Sequence, residues 1–236
     1  MYIYAMINRI LVCSAVVPAL ALLVYVYKAD RLEAEPGPLL VKLVLYGILS
    51  TFFALFAEIA GSAVLGQFFG EENNLYNIIF YFCVVGLAEE GSKYYLLKKC
   101  TWNDSNFNCM FDGVVYAAFV SLGFALWENI SYVLNYGIAT ALIRAVTAVP
   151  GHACFGVFMG VFYGKAKKAQ KRGNEEEEKT YRMLALLVPV LIHGSYDYIA
   201  TLTTEASGLI FLAFVVLMFA AAFAIVSRES KQDTYI

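Results

Sequence analysis

An all-α, polytopic membrane bundle of about seven transmembrane helices is the fold class this sequence predicts, on three observations. Hydrophobic residues make up 61% of the 236 and charged residues only 15%, with a mean hydropathy of +0.66, outside the range of soluble globular chains. The apolar residues gather into segments that can cross about 30 Å of hydrocarbon, which takes roughly 20 helical residues. Lys and Arg are sorted to alternate connections between those segments, the pattern of a membrane protein with a fixed orientation.

The segments run over about 10–27, 40–69, 75–97, 111–134, 138–163, 182–202 and 208–227. Arg9 precedes the first, but its apolar stretch is long and no small-residue cleavage site follows, so it reads as a helix rather than a signal peptide. The second carries Glu58, for which the sequence offers no obvious partner. The third ends in "GLAEEGSKYY", with Glu89, Glu90 and Lys93. The fourth contains Glu128 in "GFALWENI", and the fifth contains Arg144, His152 and Pro150, which is expected to kink it. The sixth holds His193 and Asp197 in "LIHGSYDY". The connection "KAKKAQKRGNEEEEKTYR" reads as a solvated loop. No soluble domain remains, so 1–236 is expected to form one transmembrane domain with a motif-bearing core at about 75–202.

Lys28, Arg31, Lys98, Lys99, Lys165, Lys167, Lys168, Lys171, Arg172, Lys179, Arg182, Arg228 and Lys231 all fall on one side, and the opposite loops carry none. By the positive-inside rule that side is cytoplasmic, which puts the N-terminus outside and the C-terminus inside. A net charge of -2 gives no sign of a nucleic-acid partner. Five cysteines without C-x-x-C spacing argue against a disulfide framework or a thiolate zinc site, and read as free thiols.

Ionisable residues inside such segments cost several kcal/mol unless they are paired or hydrated, so they face the bundle interior or a wet cavity. Lys93 lies four residues after Glu89 and three after Glu90, near enough to neutralise one of them. The other carboxylate is then free to point elsewhere, because neighbours on a helix diverge by about 100°. The chain has two histidines, His152 and His193, each inside an apolar helix. Asp197 follows His193 by four residues and shares its helical face. Arg144 is a candidate structural partner for Glu128. Gly113, Gly123, Gly151, Gly156, Gly160 and Gly194 are candidates for close helix packing.

Taken in order, E-E-x-x-K in "EEGSK", F-x-x-x-E in "FALWE", H-x-x-x-G in "HACFG" and H-x-x-x-D in "HGSYD" resemble the PrsW family of intramembrane proteases, over about residues 75–200. That family belongs to a superfamily with the CAAX prenyl endopeptidases and the seven-helix scaffold subunit of γ-secretase. The resemblance implies functional roles for Glu89, Glu90, Lys93, Glu128, His152, His193 and Asp197. It implies a protease of the cell membrane that cleaves membrane-anchored proteins within the lipid bilayer. The expected ligands of a divalent metal, zinc by ligand type, are Glu128, His152 and His193, and the expected catalytic groups are Glu89, Glu90, Lys93 and Asp197. Either Glu89 or Glu90 would activate the water, and Asp197 would be an additional ligand or an orienting group. A metal-free version, in which a Glu polarises water and a His stabilises the oxyanion, uses nearly the same residues.

A non-catalytic scaffold binding partner transmembrane helices is the rival reading, and an ion or proton transporter a third. Depths counted from the outer helix ends spread the site: about 8–9 Å for Glu128 and Asp197, about 14 Å for His193, and about 21 Å for His152 and Glu90. On that count Glu128 is the residue expected to stand apart, with Arg144.

Overall fold

A computed structural model of the chain describes residues 2–70 and 73–236 and is helical almost throughout, so the all-α membrane fold is as expected. Helix α1 (Tyr2–Ala29) leads by a short link to α2 (Gly37–Leu65), which Pro36 and Pro38 open, where a fixed φ and a missing N–H suit a helix start. Helix α3 (Asn74–Ile79) is capped by Asn73, whose side chain accepts from the Leu75 N–H at 2.8 Å. It continues through a π-helical segment, Phe80–Gly86, into α4 (Leu87–Thr101). Helix α5 (Asp112–Tyr136) is halted by Gly137, whose φ of 83° favours glycine. Then come α6 (Ile138–Val146), α7 (Ala148–Lys171), α8 (Glu175–Ala200) and α9 (Ser207–Lys231).

Six helical runs among the described residues are long and apolar enough to cross a membrane, α6 and α7 together making one of them. The continuous helical run 74–101 is the seventh expected segment.

Two local expectations are corrected. The connection 165–182 is helical except at 172–174, because α7 and α8 extend well past their apolar parts. Gly173 takes a φ of 72°, the Asn174 side chain accepts from the Glu177 N–H at 3.2 Å, and Glu175 to Glu178 form the first turn of α8. Acidic residues favour that position, at the positive end of the helix dipole, so the charge run starts a helix. Secondly, Pro150 does not kink a long fifth helix. The break comes at Thr147 (φ -123°, ψ -76°), and Pro150 lies in the first turn of α7, where a missing N–H breaks no helical bond.

Helix α5 is the centre of the bundle, buried from Asp112 to Ala125 and wedged between α2 and α7. Small residues permit this. A Cβ on Gly47 would run into the Val120 carbonyl, and one on Gly113 would stand 2.6 Å from the Gly164 nitrogen. Gly151 is not such a contact, since nothing lies closer than 3.7 Å to a Cβ built there.

The α1–α2 link, residues 102–111, the α7–α8 turn and the C-terminal tail meet at one end of the bundle. Asn108 there donates to Glu33 at 3.3 Å, the Ile236 N–H to the Asn108 carbonyl at 2.8 Å, and Lys167 to the Trp102 carbonyl at 2.6 Å. This is the end that carries the sorted basic residues.

Candidate active site

The ionisable residues picked out along the chain converge. Helix α4 contributes Glu89, Glu90 and Lys93, α5 contributes Glu128, α6 Arg144, α7 His152, and α8 His193 with Asp197. Lys93 is fully buried, and its ammonium donates to Glu90 Oε1 at 2.7 Å and to Glu89 Oε2 at 3.1 Å. The pairing expected with one carboxylate is made with both. The ammonium also lies 3.2 Å from His152 Nδ1 and 3.8 Å from the centre of the Phe124 ring. An ammonium can only donate, so in this arrangement His152 Nδ1 is the accepting nitrogen and Nε2 carries the proton. That Nε2 donates to Glu128 Oε2 at 2.8 Å, and the same oxygen accepts from Arg144 Nη2 at 2.7 Å.

Glu128 therefore does not stand apart. It joins Arg144 to the histidine cluster. The expected spread of depths failed on α7: with the helix starting at Ala148 rather than at Ile138, His152 is only about 6 Å from its outer end.

His193 is held on both sides. Its Nδ1 meets Glu90 Oε1 at 2.8 Å, while Nε2 is 3.3 Å from Asp197 Oδ2 and 3.8 Å from Glu89 Oε2. With Nδ1 bonded to a carboxylate, the ring presents Nε2 outward. Phe155 stacks on this imidazole with ring centres 4.5 Å apart, and the two histidine rings stand edge-to-face at 5.4 Å. Ser121 fixes the backbone beneath His152 by donating to its carbonyl at 2.7 Å.

A cavity of about 290 Å³ opens beside the cluster, lined by Glu58, Glu89, Glu128, His152, His193 and Asp197 among others. Glu90 is not on its wall. Five carboxylates, Glu58, Glu89, Glu90, Glu128 and Asp197, face only two permanent cations, Lys93 and Arg144, which leaves the balance to protons or to a bound cation. One ligand atom from each of Glu89, Glu90, His152 and His193 lies within 4.8 Å of the others, an arrangement that can hold a metal ion. Glu90 Oε2 is buried without a hydrogen-bond partner.

The sequence left three parts of this site unassigned. Phe124 and Phe155 have contact roles, and their spacing from Glu128 and His152 along one helix face was the available signal. Asn129 accepts from Arg144 Nε at 3.0 Å and so helps to aim the guanidinium at Glu128. Glu58, unexplained in the sequence, reaches the cavity from α2 and makes no ion pair among the described residues.

The family model described as PrsW family intramembrane metalloprotease matches residues 35–226. The chain belongs to this family. Relatives named Protease PrsW include that of Geobacillus kaustophilus, 35% identical over 191 residues, with 80% of this chain and 79% of the relative covered. That of Bacillus subtilis is 33% identical, covering 81% and 83%, and that of Oceanobacillus iheyensis is 34% identical, covering 92% and 95%. No solved structure matches the chain. The protein is thus an intramembrane protease of the PrsW family, and every residue of the cavity cluster lies inside the matched stretch.

Proposed function

We propose that this PrsW-family chain hydrolyses peptide bonds of membrane-anchored proteins in the cell membrane, with Glu89 as the base that activates water in the cavity. The observation that carries the reading is the division of labour between the adjacent glutamates. Glu90 is wholly buried and bonds to Lys93 and His193, whereas Glu89 reaches the cavity wall with one oxygen beside His193 Nε2. A base has to meet water, and only Glu89 of the two lines the cavity. It takes the proton from the attacking water and passes it to the leaving amine. Glu90 and Lys93 position it: Lys93 holds the Glu89 carboxyl through a 3.1 Å contact, and Glu90 fixes the His193 ring.

The donors suit a divalent ion of the zinc class, since they combine two imidazoles with carboxylates in a buried site. Of the grouped donors His152 and His193 would hold it; Glu128 is outside that group but has Oε2 2.8 Å from His152 Nε2 and would complete the set, and Asp197, beside His193 Nε2, would orient that ring or add a ligand. When bound, the ion would polarise the scissile carbonyl and lower the pKa of water. For His152 to offer Nε2, its ring proton has to move to Nδ1, which costs the Lys93 contact.

That contact favours a second, metal-free reading, in which Lys93 keeps His152 protonated on Nε2 and the imidazoles stabilise the oxyanion. Elemental analysis of the purified protein, with cleavage of a reconstituted single-span substrate before and after chelation, separates the two. The first reading expects one metal per chain, lost in His152→Ala and in His193→Ala. Full activity in metal-free protein would leave the second. A folded Glu89→Gln variant cleaving at the wild-type rate would remove Glu89 as the base.

A further inference from the structure

A second set of carboxylates lies at the opposite, basic end of the bundle and takes no part in the site above. Asp30 and Glu35 come from the α1–α2 link, Asp112 from the start of α5 and Asp233 from the C-terminal tail. One oxygen each from Asp30, Glu35 and Asp112 lies within 4.8 Å of the others, and Asp112 groups equally closely with Asp233 and Cys109. Asp112 is fully buried, and Glu35 is 6% exposed. Among the described residues, no Lys, Arg or His nitrogen lies within 4.0 Å of any of the four.

Buried polar atoms are normally bonded, and six side-chain N or O atoms among the described residues are not. Four of those six belong here: both oxygens of Asp30, Oδ1 of Asp112 and Oδ2 of Asp233. The protein has aimed these groups nonetheless. Asp112 Oδ2 accepts from the N–H groups of Asn108 at 3.0 Å and Cys109 at 2.6 Å. Asp233 Oδ1 accepts from those of Phe111 and Thr234, each at 2.9 Å, and Glu35 Oε2 accepts from the Tyr116 hydroxyl at 2.7 Å. Asp112 and Asp233 each receive backbone donors at one oxygen only, and the Asp112 carboxyl also lies against that of Glu35. Burial pushes the Asp30 carboxyl up to about 6, with Asp233 and Glu33 adding to the effect.

We propose that Asp30, Glu35 and Asp112 bind a calcium-class divalent cation, with Asp233 beside them, and that the ion ties the α1–α2 link and the C-terminal tail to the start of α5. The chemistry selects the class. All the open donors are carboxylate oxygens, the ligands of hard cations. Calcium takes its oxygens from several protein carboxylates, whereas magnesium keeps most of its waters and is held through one or two, and the three carboxylates gathered here favour the former. The adjacent Cys109 does not convert the site into one for a softer metal, because its Sγ–H donates to Asn108 Oδ1 at 3.0 Å and so keeps its proton. Asp30 and Asp233 lie outside the stretch that the family model matches, so the site extends past that core.

The test uses the full chain in detergent or nanodiscs, stripped of divalent ions, with calcium binding followed by equilibrium dialysis and by the thermal unfolding midpoint. Calcium should bind at one ion per chain and raise the midpoint to a plateau, and magnesium should raise it less. Asp30→Asn keeps the side chain's shape and one acceptor oxygen and should fold, yet should lose the calcium shift; Asp233→Asn should weaken it. His152→Ala should keep the full shift, which separates this ion from any at the cavity. No bound calcium in the wild type would overturn the proposal and leave four carboxylates sharing protons. A shift retained in Asp30→Asn, a shift lost in His152→Ala, or a stronger response to magnesium would overturn it as well.

Discussion

Two groups of buried and half-buried carboxylates in one molecule are treated in opposite ways. In the cavity cluster, Glu89, Glu90, Glu128 and Asp197 each lie within 4.0 Å of a Lys, Arg or His nitrogen. At the basic end, Asp30, Glu35, Asp112 and Asp233 have no such partner among the described residues, and several of their oxygens are bonded to nothing. The difference follows from where each group sits. At membrane depth most counter-charges come from the bundle itself, Glu58 on the cavity wall being the exception, because a lone ion in hydrocarbon costs too much. At the water boundary the counter-charge can be a dissolved ion, so the protein need only shape the ligands.

Removing a partner in the two places should then have opposite signs. The largest effect is expected from Lys93→Met, which strands Glu89 and Glu90 and should destabilise the fold by about 3–5 kcal/mol, read as a fall in thermal midpoint in detergent. An unchanged midpoint would mean that the cavity carboxylates are not paired in the way the distances indicate. Glu89→Gln should leave the midpoint close to wild type and cut cleavage of a reconstituted substrate at least about a hundredfold. Gly194→Ala comes next. A Cβ there would stand 2.7 Å from Phe82 Cδ1 and 3.0 Å from Phe82 Cα, pressing α8 away from the π-helical segment beside His193. A cost of about 1–3 kcal/mol is expected, with cleavage reduced along with it; retained activity would show that the His193–Glu90 geometry tolerates a shift. Asp30→Asn in chelator should raise stability by about 1 kcal/mol, since it relieves a buried, unpartnered charge. A loss of stability there would erase the contrast between the two groups.

The smallest signal concerns orientation. An impermeant maleimide applied to intact cells should leave Cys100 unlabelled and should label it after permeabilisation, and labelling without permeabilisation would reverse the assigned sides. Cys109 is a poor reporter for this purpose, being 1% exposed with a thiol that burial pushes up to about 12.

The helical segments were legible because a membrane allows one cheap backbone solution, and the cost of ionisable groups at depth made Glu89, Glu90, Lys93, Glu128, His152, His193 and Asp197 conspicuous. Their compactness was not legible. It depended on the break at Thr147, and Pro150, three residues later, drew attention as a kink when it marks a helix start. The charged stretch 165–182 hid two helix ends for a related reason, because a polar sequence that extends a helix beyond the apolar core reads like a loop. Asp30, Glu35, Asp112 and Asp233 gave no warning at all. Acidic residues in or near connections are ordinarily solvated, and only the fold brings these four together.

The π-helical segment Phe80–Gly86 has a consequence for how the chain can tolerate change in length. Closing each turn from i to i+5 accommodates one more residue than closing it from i to i+4. Deleting a single residue within 80–86 would let the segment revert to ordinary α closure while both flanks keep their angular phase, so Glu89, Glu90 and Lys93 would still face the histidines. The same deletion a few positions later, inside α4, would turn everything upstream by about 100° relative to the glutamates and lysine. The membrane helix that presents Glu89 and Glu90 thus contains one short stretch where loss of a residue is survivable, and it lies immediately upstream of them.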